Sequence, residues 1–516
     1  MISRWRQVTA FASALHLWAQ ATTAAEERLE QAPLGAFLDH DGRVREPGHG
    51  YLRHLEGRRP GHLLTVAEEL SFLGAGTVWY WLDKNRNVAD WDFPSWEQRF
   101  TLEAWRYDNN HFPINFLGHA LNGAAFYGLP RANGHGVGVS AAYAFGTSFA
   151  WEFLLEFREK VSVNDLVVTQ GAGMVIGEFA AKLWHYASGL PPGASGRQRA
   201  VAATIGFPVW VKRRAYGESE VVPGPYDERG LATAIGKRLA VGYELRRHAW
   251  DDRSATLQGV TLGGRLSTLP GEGRPGRFDF FFHEADVARL SLFAGAGPRG
   301  REVDLLSDLL LLGLHTQSLD LSGDGAAATF GLAMGYRYRF RVLDGHNDRL
   351  GIVHLPGPGI DATFRAGPAE VSLTGRLSGD FAGINALAYG RWADANLRPG
   401  DRPKSILRKH GYAYGWGASA RLGAELSLPP LDARATAALG SYRSHEGLDR
   451  VQEEITHDPS GSERVFELDA SLGVALPLLP VRLGVGHARS ERASQLGPFA
   501  TERALRTWSA TLALTP

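Results

Sequence analysis

His119, Glu152, Glu156, Asp165 and Glu178 have the types and spacing of a reaction site. Glu152 and Glu156 are four residues apart, so on a helix their carboxylates share a face and repel when both are ionised and buried. His119 lies on a preceding segment, Asp165 in a polar turn and Glu178 on a following segment. One imidazole with several carboxylates can do general acid–base work or hold a divalent cation. The plainer reading is interhelical glue, with Asp165 in a capping-box variant, Ser162-Val163-Asn164-Asp165, and His119 bonded to a backbone carbonyl. Glue is preferred to catalysis, so enzyme activity is left open and no cofactor or metal is assigned. Asp83-Lys84-Asn85-Arg86-Asn87 lacks the glycine and distal glutamate of a calcium loop. Gly134-His135-Gly136-Val137-Gly138 follows no strand, against a nucleotide site, and Ser148 and Ser162 lack a nucleophile elbow.

The elements that must hold these residues have a period near 3.6. Thr65-Val66-Ala67-Glu68 fits a capping box ahead of a helix from Val66 to Leu82. Phe116–Arg131, Val139–Glu159 and Gly171–Tyr186 also read as helices, with turns at Gly134-His135-Gly136 and from Ser162 to Thr169. Apolar residues on several faces predict a compact bundle over residues 26–195. Ahead of it, Arg4 and Arg6, the apolar run Val8–Ala21 and Thr23-Ala24-Ala25 read as a signal peptide, residues 1–25. No later segment reads as a spanning helix of about 20 uninterrupted apolar residues.

Residues 196–516 change character to period two. From Tyr412 to Leu428 the even positions, Tyr412, Tyr414, Trp416, Ala418, Ala420, Leu422, Ala424, Leu426 and Leu428, are apolar, while the odd ones are small or charged. That alternation fits a barrel strand with lipid outside and a wet lumen. Tyr336, Tyr338 and Phe340 alternate with Arg337, Arg339 and Arg341 in the same way. An arginine facing lipid at the midplane would cost about 2–4 kcal/mol, so these three, with Arg376 and Arg421, are placed inward. There they favour anionic solutes, bind a helical plug or, the preferred reading, pair with Glu370, Asp380, Glu425, Glu467 and Asp469.

Short connections at Ala366-Gly367-Pro368, Pro429-Pro430 and Pro477–Pro480 alternate with long polar ones at Leu343–Pro356, Arg391–His410, Arg443–Glu463 and Arg489–Glu502. The alternation predicts an α+β chain, a helical bundle followed by an antiparallel transmembrane β-barrel of about twelve strands, between ten and fourteen, with its C-terminus on the short-turn, periplasmic side. Lys and Arg number 55, as do Asp and Glu, which gives no electrostatic case for a nucleic-acid partner. The absence of cysteine excludes disulfides and thiolate metal sites.

The ordered set Asn110-His111 through Gly118-His119, Trp151-Glu152, Ser162-Val163-Asn164-Asp165 and Gly177-Glu178 resembles a bacterial envelope family known as domain-of-unknown-function family 3943. Its members have a signal peptide, a helical region with these motifs and a barrel-like C-terminal half. The resemblance covers about Trp79 to Tyr186 and implies architecture and address, but no activity. The expectation is an outer-membrane protein of a Gram-negative cell, its helices periplasmic or plugging the lumen, acting in envelope structure or solute passage. The alternative is an envelope lipid- or glycan-modifying enzyme using the His/carboxylate cluster. The expected partners are outer-membrane lipid and, during biogenesis, the barrel assembly machinery.

Overall fold

The computed structural model describes residues 37–38, 44–45, 61–82, 93–217, 236–269, 271–398, 405–444, 459–477 and 479–514. The signal peptide and the Asp83–Asn87 segment lie outside these. The strands are β1 (Gly236–Trp250), β2 (Arg253–Ser267), β3 (Gly276–Phe282), β4 (Val287–Gly297), β5 (Gly300–Leu319), β6 (Gly325–Leu343), β7 (His346–Ala366), β8 (Ala369–Asn385), β9 (Tyr412–Leu428), β10 (Leu431–Ser444), β11 (Gly461–Ala475), β12 (Val481–Leu496) and β13 (Phe499–Leu514). Every pairing among them is antiparallel, and β13 returns to β1 from Arg506↔Ala249 to Leu514↔Val241. Closure pairs the wall strands around the full circle, and among the described residues the short β3 alone is paired on one side only. β4 pairs with the upper part of β5, and the short β3 covers the rest, from Gly276↔Leu319 to Phe282↔Gly313, so the wall is twelve strands wide.

Alternation sets the faces as expected: Leu422, Leu426 and Leu428 are exposed outside, and Arg421 points in. Where β5 runs through four successive leucines, a bulge shifts the register between Leu312↔Leu332 and Leu310↔Ala333. That extra residue keeps Asp308 and His315 both inward. Two expected long loops are absent. Residues 344–345 alone join β6 to β7, and 497–498 alone join β12 to β13, because the polar residues there are inward-facing strand positions. The long connections 386–411 and 445–460 do exist, at the end of the barrel opposite the C-terminus.

The lumen is crossed by ion pairs. Arg341 reaches Glu302 (2.6 Å) and Asp348 (3.3 Å), and Asp348 accepts from Arg492 (2.7 Å), which also holds Glu463 (2.8 Å). Arg339 pairs with Asp304, Asp348 and, across the interior, Glu467. Arg337 bonds Asp304 (3.0 Å), while Arg376 and Arg421 converge on Asp308 (3.0 and 2.8 Å) with Arg289. Of the acidic partners expected from sequence, Glu467 alone serves these arginines. Glu370 goes to Arg238 and Arg365, Asp380 to His354, and Glu425 to Arg434.

In the connection after β2, Glu272 pairs with Arg265. Burial alone would raise its pKa, but the Arg265 charge and hydrogen bonds outweigh it and hold Glu272 at about 2. A depressed carboxylate contributes stability above its unfolded value of 4.5, and that contribution is lost as pH falls through about 2. Glu272→Gln should therefore lower barrel stability at neutral pH and flatten the acid limb of barrel melting between pH 4.5 and 2, so that variant and wild type converge at low pH. An identical acid limb in the variant would count against the pair.

The helices are α1 (His62–Leu82), α2 (Trp96–Phe100), α3 (His119–Ala132), α4 (Val137–Ala150), α5 (Val163–Ser188), α6 (Gly196–Thr204) and α7 (Phe207–Ala215), with π-helical turns at Ile114–Gly118 and Trp151–Leu155. α1 begins at His62, and Thr65 sits inside it, its hydroxyl donating to the Gly61 carbonyl (3.0 Å). The expected turn from Ser162 to Thr169 is instead the first part of α5, with Ser162 as its cap. α3 and α5 run parallel and touch backbone to backbone. A Cβ on Gly123 would fall 1.8 Å from the Thr169 carbonyl oxygen, and one on Gly173 2.5 Å from Gly123 Cα.

These helices do not plug the lumen. They pack on the outside of the barrel. Phe116 fits a slot over Gly351 and Gly383, where added Cβ atoms would fall 2.2 and 2.0 Å from its ring. Further along, Val353 faces Gly171, and Phe179 lies 3.1 Å from the Cβ site of Gly264. Tyr336, Tyr338, Tyr412 and Tyr414, on the outward face, are covered by Phe112, Phe116 and Tyr107. The lumen has no room for the bundle because charged side chains already meet across it. Among the described residues α5 is long and apolar enough on average to cross a membrane, although Asp165, Glu178 and Lys182 interrupt it, and 61% of that window is buried.

Candidate functional site

α3 and α5 start at the same end of the wall, the end of the long connections, and their parallel close approach brings His119 against the first turn of α5. His119 Nε2 lies 3.3 Å from Asp165 Oδ1, and its Nδ1 lies 3.4 Å from the Thr169 hydroxyl. α4 returns to this end and finishes in the π turn that carries Glu152. The Ser162 N–H donates to Glu152 Oε2 (3.3 Å). Single ligand atoms of His119, Glu152 and Asp165 all lie within 4.8 Å of one another. Glu152 and Asp165 are nearly fully buried and His119 partly so.

Local sequence explains the positioning. Ser162 caps α5 by accepting from the Asp165 N–H (3.4 Å). Asn164 accepts from the Asp108 N–H (2.6 Å) and donates from Nδ2 to Asp165 Oδ1 (2.7 Å). Arg99 donates to the carbonyls of Glu152 (3.2 Å), Phe153 (3.0 Å), Glu156 (3.1 Å) and Glu159, satisfying the open end of the π turn. The barrel also takes part. Asn115 donates to the hydroxyls of Tyr412 (3.1 Å) and Tyr414 (2.6 Å), and Tyr414 donates to the Asp108 carbonyl (3.0 Å).

Burial, followed by the charges of Glu159 and Asp108, pushes Glu156 up to about 8. Burial also pushes Asp108 above its usual range, against the opposing charge of Arg106. Carboxyls packed this closely need protons or a cation to offset their repulsion.

Of the five residues singled out from sequence, the fold brings His119, Glu152 and Asp165 together, with Glu156 beside them. Glu178 is elsewhere. Thirteen residues further along α5, about 20 Å at 1.5 Å per residue, it accepts from Arg131 (2.8 and 3.0 Å), Lys182 (2.6 Å) and Tyr127 (2.7 Å) in a closed structural cluster. Sequence reasoning missed Asp108, Asn115, Asn164 and Thr169. Asn164 sat inside a motif already singled out, and its neighbour Asp165 was the clue to it. Asp108 reaches the cluster only through tertiary contact.

Against this geometry the family comparison is specific. Residues 104–207 match the domain of unknown function DUF3943. The match takes in every member of the cluster, and the closed twelve-strand barrel follows it. No curated protein matches the chain. Solved structures similar to it include the anion-selective porin from Comamonas acidovorans (8% identity, 55% of this chain and 99% of that one, TM-score 0.21). OmpT of Vibrio cholerae (6%, 54% and 99%, 0.22) and a Pseudomonas aeruginosa FadL homologue (11%, 55% and 90%, 0.22) are others. Scores this low carry no argument; the barrel rests on its own strand ladder.

Proposed function

We propose that this is an outer-membrane protein whose barrel is a wall for a bilayer-embedded DUF3943 domain and not a diffusion pore. One observation carries the reading: the helices dock on the outward face of the barrel, the side that meets lipid. The opposite face of the bundle is apolar as well, with Leu63, Leu70, Phe72 and Val78 of α1 and Val139 and Phe145 of α4 exposed. That surface continues the belt formed on the barrel by Leu422, Leu472, Val485 and Leu512. A water-facing bundle would be costly with so much apolar surface uncovered. The ion pairs across the lumen argue against free solute passage. With the C-terminus in the periplasm, the His119 cluster lies toward the outer leaflet.

Because the chain has no cysteine, single cysteines report cleanly. In proteoliposomes, Leu70→Cys and Phe145→Cys carrying a fluorophore should be quenched by spin-labelled acyl chains, and the wild-type protein should give no steady conductance. Quenching by aqueous iodide instead, or an ohmic channel, would overturn the reading. The second reading, an enzyme acting on envelope lipid headgroups, is favoured by the grouping of His119, Glu152 and Asp165 at one end of the bundle.

A further inference from the structure

We infer that His119, Glu152 and Asp165 are the protein ligands of a divalent cation of the zinc class. The inference rests on the geometry of the cluster and holds whether or not the helices lie in lipid. Their ligand atoms come from three helical segments and converge within 4.8 Å. Tetrahedral zinc with ligands about 2.0–2.2 Å away holds ligand atoms about 3.4 Å apart. His119 Nε2 and Asp165 Oδ1 are at that spacing already, at 3.3 Å. A small rotation of Glu152 completes the set, and the remaining position stays open for water or a ligand oxygen.

The surroundings point the same way. Among the described residues the imidazole is the one ion-pair partner of Asp165, and no arginine or lysine pairs with Glu152. Arg99, the nearby buried guanidinium, donates to main-chain carbonyls, and Arg106 pairs with Glu159. Asn115, one turn before His119, is fully buried and its Oδ1 has no donor. The second shell is built as ligand-orienting shells are. Asn164 bonds Asp165, Ser162 bonds Glu152, and Thr169 meets the other nitrogen of His119, which orients the ring. An imidazole among the ligands argues against magnesium and calcium, which prefer all-oxygen sites, and the chain offers no thiolate.

The test uses the full chain purified in detergent, stripped with a chelator, incubated with Zn²⁺ or with Mn²⁺ and desalted. Metal analysis should find one equivalent of Zn²⁺ per chain, and Mn²⁺ bound in its place should give an immobilised EPR signal. His119→Ala, Glu152→Gln and Asp165→Asn should each weaken binding at least tenfold, while His354→Ala in the lumen should not. Heat-modifiable migration on gels reports that the barrel of each variant is folded, and wild-type helical circular dichroism reports that its helical domain is. If a variant fails that check, wild-type melting with and without Zn²⁺ decides: the expected result is a rise in the melting midpoint. Wild-type protein that takes up no metal, or folded variants that keep it, would overturn the site.

Discussion

Gly383→Val should release the helical domain from the wall while leaving the barrel closed. A Cβ at this position falls 2.0 and 2.1 Å from Phe116 ring atoms, and the opposite side of the slot is already filled by the backbone at Gly351. Overpacking costs about 1–3 kcal/mol where the neighbour can shift. Here Phe116 is fully buried and held between Gly351 and Gly383, so the change approaches loss of the whole ring contact, about 3–5 kcal/mol. Lipid sharpens the effect, because chains as apolar as the protein supply no drive for association beyond shape match. The barrel strands should tolerate the substitution, since valine suits a strand and the site faces outward.

A designed pair of cysteines gives the readout. A Cβ on Gly171 lies 3.7 Å from the Val353 Cβ, within the span of a disulfide. Gly171→Cys with Val353→Cys should cross-link α5 to β7 spontaneously on oxidation. Adding Gly383→Val should cut that yield several-fold while heat-modifiable migration persists. Undiminished cross-linking would mean that the Phe116 slot does not hold the interface.

Glu178→Ala should destabilise the helical domain by about 3–5 kcal/mol, the usual cost of breaking a buried ion pair from one side. Glu178, Arg131 and Lys182 are all essentially inaccessible to solvent. Removing the carboxylate takes away bonds to Arg131 Nε and Nη2, Lys182 Nζ and the Tyr127 hydroxyl at once. Glu284, from the connection before β4, remains 3.4 Å from Arg131 Nη1 and offsets a part. Urea titration of the helical circular dichroism, with the barrel still folded, should show the midpoint falling. Replacing all three charged residues by leucine should recover much of the loss, as apolar substitution of whole buried networks often does. Metal uptake at the distant His119 site should be unchanged. A shift below about 1 kcal/mol would return Glu178 to the list of working residues.

Much of this was legible in the chain. Period-two alternation from Tyr412 to Leu428 assigns inside and outside without coordinates, because successive side chains on a strand must point opposite ways. The same rule put Arg337, Arg339 and Arg341 in the lumen, and the polar His119, Glu152 and Asp165 stood out in an otherwise apolar stretch. Legibility failed where two polar environments look alike in sequence. Residues 343–356 and 489–502 read as loops, yet they extend strands whose inward positions are charged. Glu178 read as a partner of His119, yet the buried Arg131 and Lys182 claim it. Linear spacing cannot say which cation a carboxylate will meet.

The sequence by itself determined the faces of the strands and the helical character of the first half, since each follows from local periodicity, and it placed His119, Glu152 and Asp165 among five candidates without saying which of the five converge. The tertiary structure decided that the outward tyrosines at positions 336, 338, 412 and 414 meet helices and not lipid. It also decided which charged side chains pair across the lumen. An apolar face carries no label for what will cover it. Lipid and a well-shaped helix are equally acceptable neighbours, and the choice between them is made by packing fit at residues such as Gly351 and Gly383, far from Phe116 in the chain.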